Sequence, residues 1–486
     1  MKSQLDNSRA ALTLFLNHHP EIKYVSPTDP EFASLKTTYN QSASAVPMAI
    51  VRPQTANNVV ALIYFCVSSS FQFTIRSGGN NIYGLSCVQD ALMIDLRDIN
   101  YIELDQTKSS VTVGGGVIVS NLLRELSKDG LVTPTGALGF LGLVGWSTYG
   151  GYGPITSRYG LGVDNILAAK VVNAKGEVVV ANKELLKGIR GAGGALGVIV
   201  ELTVKVYPLV QVLAGMIIFD SQDIISTYKN FNAGYQALLE DGSVPLELGV
   251  YQFIMNTPHG RAFSLTLVWS SEDHDTGRAI IAKIAALGPV MMNTVEPKTI
   301  ADHIDFIGTQ VPQRAYGTCQ TVSIRKLNED ATEILGRAFE KMPSSFGTSL
   351  GVHELRGPSA APNPKSVFAS REPHFMLELI SLVAKEEEVN ESIEWATSLK
   401  NELLQMDPSN LLSGTYISVT RPGDVPLSKI YGPGSNFETL LGLKRNCLSQ
   451  AAVHGAVTAT ASTWVCKAAS EAVLRATTIS ATTALS

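Results

Sequence analysis

Cysteine and charge are scarce in this sequence, long apolar runs are missing, and each shortage excludes a class of protein. Its five cysteines (Cys66, Cys87, Cys319, Cys447 and Cys466) are odd in number and form no Cys-x-x-Cys pair. That argues against a disulfide framework or a zinc site and leaves buried thiols. Charged residues make up 17% of the chain, the net charge is −5, and there is no long Lys/Arg run. A nucleic-acid partner would need a basic patch to neutralise phosphates, so none is expected. No segment approaches the roughly 20 apolar residues of a membrane span. The run "ALTLFL" near the N-terminus is too brief for a signal-peptide core, so a cytoplasmic protein is the expectation. The P-loop pattern is missing. The histidines, among them His18, His19 and His259, lack metal-ligand spacing, and no metal is expected.

Glycine, by contrast, is plentiful, with 41 residues. At 486 residues and 45% apolar content the chain is globular and long enough for two or three domains. "PMAIVRP" reads as a strand stopped by Pro53. "TANNVVALIYFCVSSS" reads as a helix with Thr55 at its N-cap and Val59, Ile63 and Cys66 on one face. "FQFTI" is the next strand and runs straight into a first glycine cluster, "RSGGNNIYGLS", Arg76–Ser86. Gly78 and Gly79 lack a Cβ, so the backbone can turn tightly and present a concave set of N–H groups. A phosphate suits such a turn, because ligands of α/β units collect at strand ends.

"ALMIDL" and "SSVTVGGGV" are two further strands, and "IVSNLLRELSKDG" is an amphipathic helix closed by Gly130. The second cluster follows, with glycines at 136, 139, 142, 145, 150, 151, 153, 160 and 162. That density forbids a stable helix or regular strand, yet the segment is rich in Leu, Val, Trp and Tyr. A backbone so bare and so apolar lets something large lie against it. "NILAAKVVNAKGEVVVA" is a hairpin with Gly176 at its turn. A helix, a third cluster (Gly191, Gly193, Gly194, Gly197) and a strand ended by Pro208 complete this half.

Beyond about residue 210 glycine thins out. Strands are expected at "VQVLAGMIIF", "LELGVYQFIM", "AFSLTLVWSS", "TSLGVHELRG", "HFMLELISLVA" and "GTYISVTR", alternating with four amphipathic helices. This is an α+β arrangement, an antiparallel sheet covered by helices. Residues 446–486 are Ala/Ser/Thr-rich with three charges (Lys467, Glu471, Arg475) and no sustained period, so they are expected to be disordered.

"GAGGALG" comes near the dinucleotide fingerprint G-x-G-x-x-G. Its last glycine falls one residue late, however, and it follows a helix-like segment rather than a strand. The ordered set "VRPQTANNVV…IRSGGNNIYGLS", "VGGGV", "GLVGWSTYGGYGPITSRYGLGVDN…" and "IRGAGGALGVIVELTVKVYP" resembles a different family. It is similar to the FAD-binding module of the vanillyl-alcohol-oxidase (PCMH-type) superfamily, with the berberine-bridge-enzyme-like FAD-linked oxidoreductases of secondary metabolism as the nearest subfamily. The resemblance implies a two-lobed PCMH-type FAD-binding domain over residues 40–212, after an N-terminal segment 1–39. An α+β substrate domain (213–427) and a returning segment (428–445) would follow. It implies that Ser77, Gly78, Gly79, Asn80 and Asn81 hold the FAD diphosphate, with Gly84 and Leu85 closing the loop and Arg76 offsetting charge. Gly142, Gly145, Gly150 and Gly151 would lie along the flavin, with Val198, Ile199 and Tyr431 nearby.

Four departures modify what the resemblance implies. Asn80 stands where many relatives carry a histidine bonded covalently to the flavin, and Leu138 where some carry a second, cysteine link. FAD is therefore expected to be held non-covalently. Ser418 replaces an asparagine, and "NCLSQAAVHG" follows "LKR" in place of the usual ending. An oxidase needs a substrate C–H over flavin N5 and a base for the accompanying proton. The base candidates are Tyr416, where relatives place an active-site tyrosine, and His353 or Glu354, of which only one can face the flavin from a strand. His374 is a weaker candidate. The expectation is an FAD-dependent oxidase of a small hydrophobic secondary metabolite, with O2 as electron acceptor. Two rival readings are a flavin-bound but redox-silent cyclase or isomerase, and a degenerate, non-catalytic relative.

Overall fold

In the computed structural model, which describes residues 2–42, 45–421, 423–432 and 434–451, the first βαβ unit is started by its cap. The Thr55 side chain accepts from the Asn58 backbone N–H at 3.2 Å and the Asn58 side chain accepts from the Thr55 N–H at 3.2 Å. This reciprocal pair satisfies two of the orphan donors at the start of helix Ala56–Ser68. The helix joins strands Ala49–Arg52 and Phe73–Arg76, and Leu92–Asp95 inserts between them, parallel to both. Lys23–Val25 pairs antiparallel on the outside to complete a four-stranded sheet. The N-terminal segment thus belongs to this layer, with Leu12 and Ile22 buried in the same core as Ala49, Val51 and Ile63.

A second, wholly antiparallel sheet has the order Ile102–Leu104, Ser110–Gly114, Val198–Lys205, Ile166–Val172, Val178–Val180. Helix Val119–Ser127 buries Val119, Leu122, Leu123 and Leu126 against it. The second glycine cluster leaves this sheet as loops and short helices of four to six residues (Leu143–Thr148, Thr156–Tyr159, Gly162–Asn165).

Apart from a short antiparallel pair, Leu131–Val132 with Tyr207–Pro208, the remaining strands of the described residues form one eight-stranded antiparallel sheet. Its order is Val290–Asn293, Val212–Phe219, Gly260–Trp269, Leu248–Thr257, Thr348–Leu355, His374–Val383, Tyr316–Ile324, with Glu296–Lys298 also pairing with Val212–Phe219. Side chains alternate across it. Leu350, Val352, Phe375, Leu377 and Leu379 point to a helical layer supplied by Ile224–Glu240, His274–Ala285, Glu329–Glu340 and Val389–Leu403, and together they form the largest core. The alternate residues face the glycine-rich half. Among the described residues no helix is long and apolar enough to cross a membrane.

Three local expectations need correction. "GTYISVTR" is not a strand: Ile417–Val419 is a single 3₁₀ turn. The Thr420 hydroxyl donates to the Tyr416 carbonyl, a local bond that competes with a ladder. The edge position beside His374–Val383 is taken instead by Tyr316–Ile324, a strand whose mixed pattern "YGTCQTVSI" gave little sign of itself. Helix Ile300–Gly308 was also not foreseen; Thr299 caps it by accepting from the Asp302 N–H. Helix Ser435–Ala451 runs past residue 445, and the rest of the tail expected to be disordered lies outside the described residues.

The two halves are tied by a largely buried ion pair. Arg371 bonds both carboxylate oxygens of Asp164 at 2.7 and 2.8 Å, and Asn363 donates to the same carboxylate at 2.7 Å. Removing one partner leaves the other charge uncompensated. The Arg371→Met variant is expected to lose about 3 kcal/mol of unfolding free energy, read as a lower denaturant midpoint. A midpoint within about 0.5 kcal/mol of wild type, the range of an ordinary surface change, would show that the pair does not hold the halves together.

Candidate active site and cofactor cleft

Strand Phe73–Arg76 ends at the base of a cleft of about 500 Å³ between the glycine-rich half and the eight-stranded sheet. The loop at its end is fixed by its own polar residues. The Ser77 hydroxyl donates to the Gly115 carbonyl at 2.8 Å and the Asn80 amide to the Phe140 carbonyl at 2.8 Å. Asn81 Oδ1 accepts from the N–H groups of Tyr83 and Leu85 at 3.0 and 3.1 Å. Gly79 sits at φ +77°, and a Cβ there would meet the Arg76 guanidinium at 2.7 Å. Arg76 is 3% exposed and donates to the Leu35 and Thr37 carbonyls, so it braces the loop from behind rather than presenting its charge to the cleft. Burial, then the neighbouring Arg97, brings its pKa down to about 10.

The residues fit a flavin dinucleotide. Ser77, Gly78, Gly79, Asn80, Asn81 and Leu85 line one end of the cleft; Gly142, Gly145, Val198 and Ile199 line its wall. At Gly145 and Gly194 a Cβ would have no protein atom within 4 Å, and both residues face the cleft, so its volume is kept open by missing side chains. Gly84, Gly150 and Gly151 do not line it. Gly84 turns the loop at φ +74°, Gly150 packs on Phe368 and Tyr416, and Gly151 packs on Gly162. Tyr431 is displaced further. It is 1% exposed in a small core with Ala192, Ala195, Val367, Leu427 and Ile430, behind the third glycine cluster, because the returning segment packs its apolar face there.

Across the cleft, the open face of the sheet carries a polar cluster in an apolar frame. Glu378 Oε2 accepts from the Tyr251 hydroxyl at 3.0 Å and lies 3.2 Å from His353 Nε2. The Tyr251 ring stacks on His353 at 4.2 Å. Gly351 makes room for this, since a Cβ there would lie 2.1 Å from the Tyr251 hydroxyl. Burial alone would raise the Glu378 carboxyl, but the adjacent His353 and the hydrogen bonds from His353 and Tyr251 outweigh it and hold its pKa below the ordinary value. Burial, then the Glu378 charge, pushes the Tyr251 phenol well up. Tyr152, from the second glycine cluster, reaches over to stack on Tyr416 at 4.3 Å and 5° and meets His353 edge-on at 6.0 Å.

Of the residues singled out in the sequence, His353 and Tyr416 therefore meet in this cluster and Glu354 does not. Its carboxylate points to the helical layer, where the Tyr235 hydroxyl donates to it at 2.7 Å and Arg356 Nε lies at 3.3 Å. The period of the strand puts it on the opposite face from His353. His374, 2% exposed, bonds the Glu372 carbonyl through Nδ1. Glu378, Tyr251 and Tyr152 were missed. Glu378 lies inside "HFMLELISLV", and a single acid on the polar side of a period-two strand was the available signal.

A family model described as an FAD binding domain matches residues 47–182. The FAD-linked oxidoreductase aurO of Gibberella zeae is 31% identical over 443 residues, 90% of this chain and 86% of that protein. The crystal structure of 6-hydroxy-D-nicotine oxidase from Arthrobacter nicotinovorans superposes with a TM-score of 0.77 at 23% identity, over 88% of this chain and 95% of that one. BBE-like 1 of Physcomitrella patens does so with a TM-score of 0.75 at 20% identity, over the same shares. The chain has the fold of the PCMH-type, berberine-bridge-enzyme-like flavoproteins. It belongs to the FAD-linked oxidoreductases: it is an enzyme, and FAD is its cofactor.

Because Gly145 has open cleft rather than protein in front of it, Gly145→Val is expected to fold with near wild-type circular dichroism but to purify with at least tenfold less bound flavin. A variant that keeps full flavin occupancy would place the cofactor elsewhere.

Proposed function

We propose that this enzyme is an oxidase of a small, hydrophobic secondary metabolite, with Glu378 as its base. The observation that carries the reading is the Glu378–His353–Tyr251 cluster on the cleft face of the sheet. FAD, which residues 77–81 and the glycine-lined wall would hold, would supply the redox chemistry: a hydride acceptor for a C–H next to oxygen or nitrogen, or an allylic C–H, with O2 as the final electron acceptor. Glu378 takes the accompanying proton from the substrate. Its low pKa keeps it ionised through the neutral range. Tyr251 donates to it and fixes its rotamer, and His353 holds the second position on the same oxygen. Phe253, Met255, Ile380 and Leu382 line the surrounding wall and suit an apolar molecule. The stacked Tyr152 and Tyr416 close the other side and exclude water.

The cofactor is held without a covalent bond. Asn80 offers an amide nitrogen, which is not a nucleophile and is already committed to the Phe140 carbonyl, and Leu138 offers no sulfur.

Two outcomes are expected. Acid precipitation of the purified yellow protein should release all the flavin into the supernatant; colour left in the pellet would contradict non-covalent binding. Glu378→Gln should keep the flavin spectrum and lower kcat/KM by about 10²–10⁴-fold, the range of a lost general base, measured as peroxide release on a substrate that turns over. A variant with wild-type kcat/KM would remove Glu378 from the mechanism. Turnover under anaerobic conditions with no bleaching of the flavin would favour a redox-silent isomerase or cyclase instead.

A further inference from the structure

One buried histidine of the cleft has no part in the cluster above. His303 lies on helix Ile300–Gly308, whose Ile300, Ala301 and Ile304 pack into the core with Val119 and Leu122. His303 and Ile307, one turn apart on the helix, line the cleft, and Gln310 and Val311, just past the end of the helix, line it as well. The imidazole is 1% exposed, and its buried Nδ1 has no hydrogen-bond partner within the protein. Buried polar atoms are almost always paired, and an orphan in a binding cleft marks a place where a ligand supplies the partner.

The chemistry of that partner is constrained. Burial, then the nearby Lys298, brings the His303 pKa down to about 4, so the ring is neutral through the ordinary pH range and offers one N–H and one lone pair. Arg356 is the one lysine or arginine among the described residues lining the cleft, and its guanidinium is bonded to the carbonyls of Val244, Pro245 and Leu248. A substrate carboxylate or phosphate would therefore meet no free cation. The helix of His303 packs on strand Val212–Phe219, and three strands separate that strand from the one carrying Glu378. At about 4.8 Å per strand a single-ring substrate seated at Glu378 does not span to His303.

We propose that His303 is a specificity-determining residue that hydrogen-bonds an uncharged hydroxyl or carbonyl group on the end of the substrate remote from the oxidised carbon, so that the enzyme selects elongated, uncharged molecules of more than one ring that are polar at both ends. This rests on the reading of the cleft as an oxidase substrate site.

The test uses the FAD-loaded enzyme and two probes, 4,4″-dihydroxy-p-terphenyl, long enough with its two hydrogen bonds to cover four strand spacings of about 4.8 Å, and 4-hydroxy-p-terphenyl, with dissociation constants from titration calorimetry. One hydroxyl of either probe can occupy the Glu378 end; only the first has a hydroxyl left for His303. Wild type is expected to bind the dihydroxy probe about tenfold tighter, the size of one net hydrogen bond. His303→Leu should bring the two within about threefold, the spread left when that bond is absent, and His303→Asn, which keeps an N–H near the Nδ1 position, should restore part of the preference. Equal affinities in wild type, or an undiminished preference in His303→Leu, would overturn the proposal. So would a His303→Leu protein that loses flavin while its remaining holoenzyme keeps the preference, since the histidine would then serve the cofactor. If His303→Leu yields no folded protein, the wild-type and His303→Asn affinities decide in the same way. Binding is an equilibrium readout that needs no turnover. A preserved preference pattern with no peroxide from any substrate would strike the oxidase reading and leave the recognition role standing.

Discussion

Gly78 and Gly142 approach so closely that a Cβ on the first would lie 2.3 Å from the backbone nitrogen of the second, and a Cβ on the second 2.5 Å from the nitrogen of the first. No pair of residues with side chains could make this contact. It presses the loop after Phe73–Arg76 against the second glycine cluster and so sets the floor of the cleft. The hydrogen bonds around it, Ser77 to Gly115 and Asn80 to Phe140, hold side chains and carbonyls out of the way. What faces the cleft at this end is then mostly backbone, which is what a diphosphate needs.

The far wall depends on a different constraint, the two-residue period of a strand. One face of the eight-stranded sheet is committed to the largest core, with Tyr235, Phe339 and Trp395 packed on Leu350, Val352 and Leu377. The other face is free to carry chemistry. That division separates two glutamates only a strand apart. Glu354 falls on the core side and bonds Tyr235, whereas Glu378 falls on the cleft side with His353 and Tyr251. Burial acts on both carboxyls in the same direction, but the outcomes differ. Glu354 ends with a raised pKa and Glu378 with a lowered one, because the neighbours of Glu378 overcome its desolvation.

The glycine-rich half was legible in the sequence because its signals are local. A capping threonine, a Gly-Gly turn after an apolar strand and a hairpin with Gly176 each state their own conformation within a few residues. Loop residues Ser77 to Asn81 could be named on that basis together with the family resemblance. The polar cluster was less legible, since it is assembled from Tyr251, His353 and Glu378 on three different strands, and pairing register is not written in any one of them. Tyr416 was recognised by position, although its segment forms a turn rather than a strand. Tyr431 was misplaced because the sequence marks a returning segment without saying which side of the third glycine cluster it packs against. His303 carried no sequence signal at all; its meaning comes from a buried nitrogen left without a partner.

We propose on these observations one arrangement, in which bare backbone would grip the diphosphate of FAD while the ring system would meet the face of the sheet that carries Glu378. A crystal structure of the protein grown with FAD tests this most directly. The expected result is density for the diphosphate within hydrogen-bond distance, roughly 3 Å, of the backbone N–H groups of residues 77–81, with the flavin ring between Val198–Ile199 and the Glu378 cluster. A flavin ring facing away from Glu378, or a cleft filled by the protein's own side chains, would contradict it.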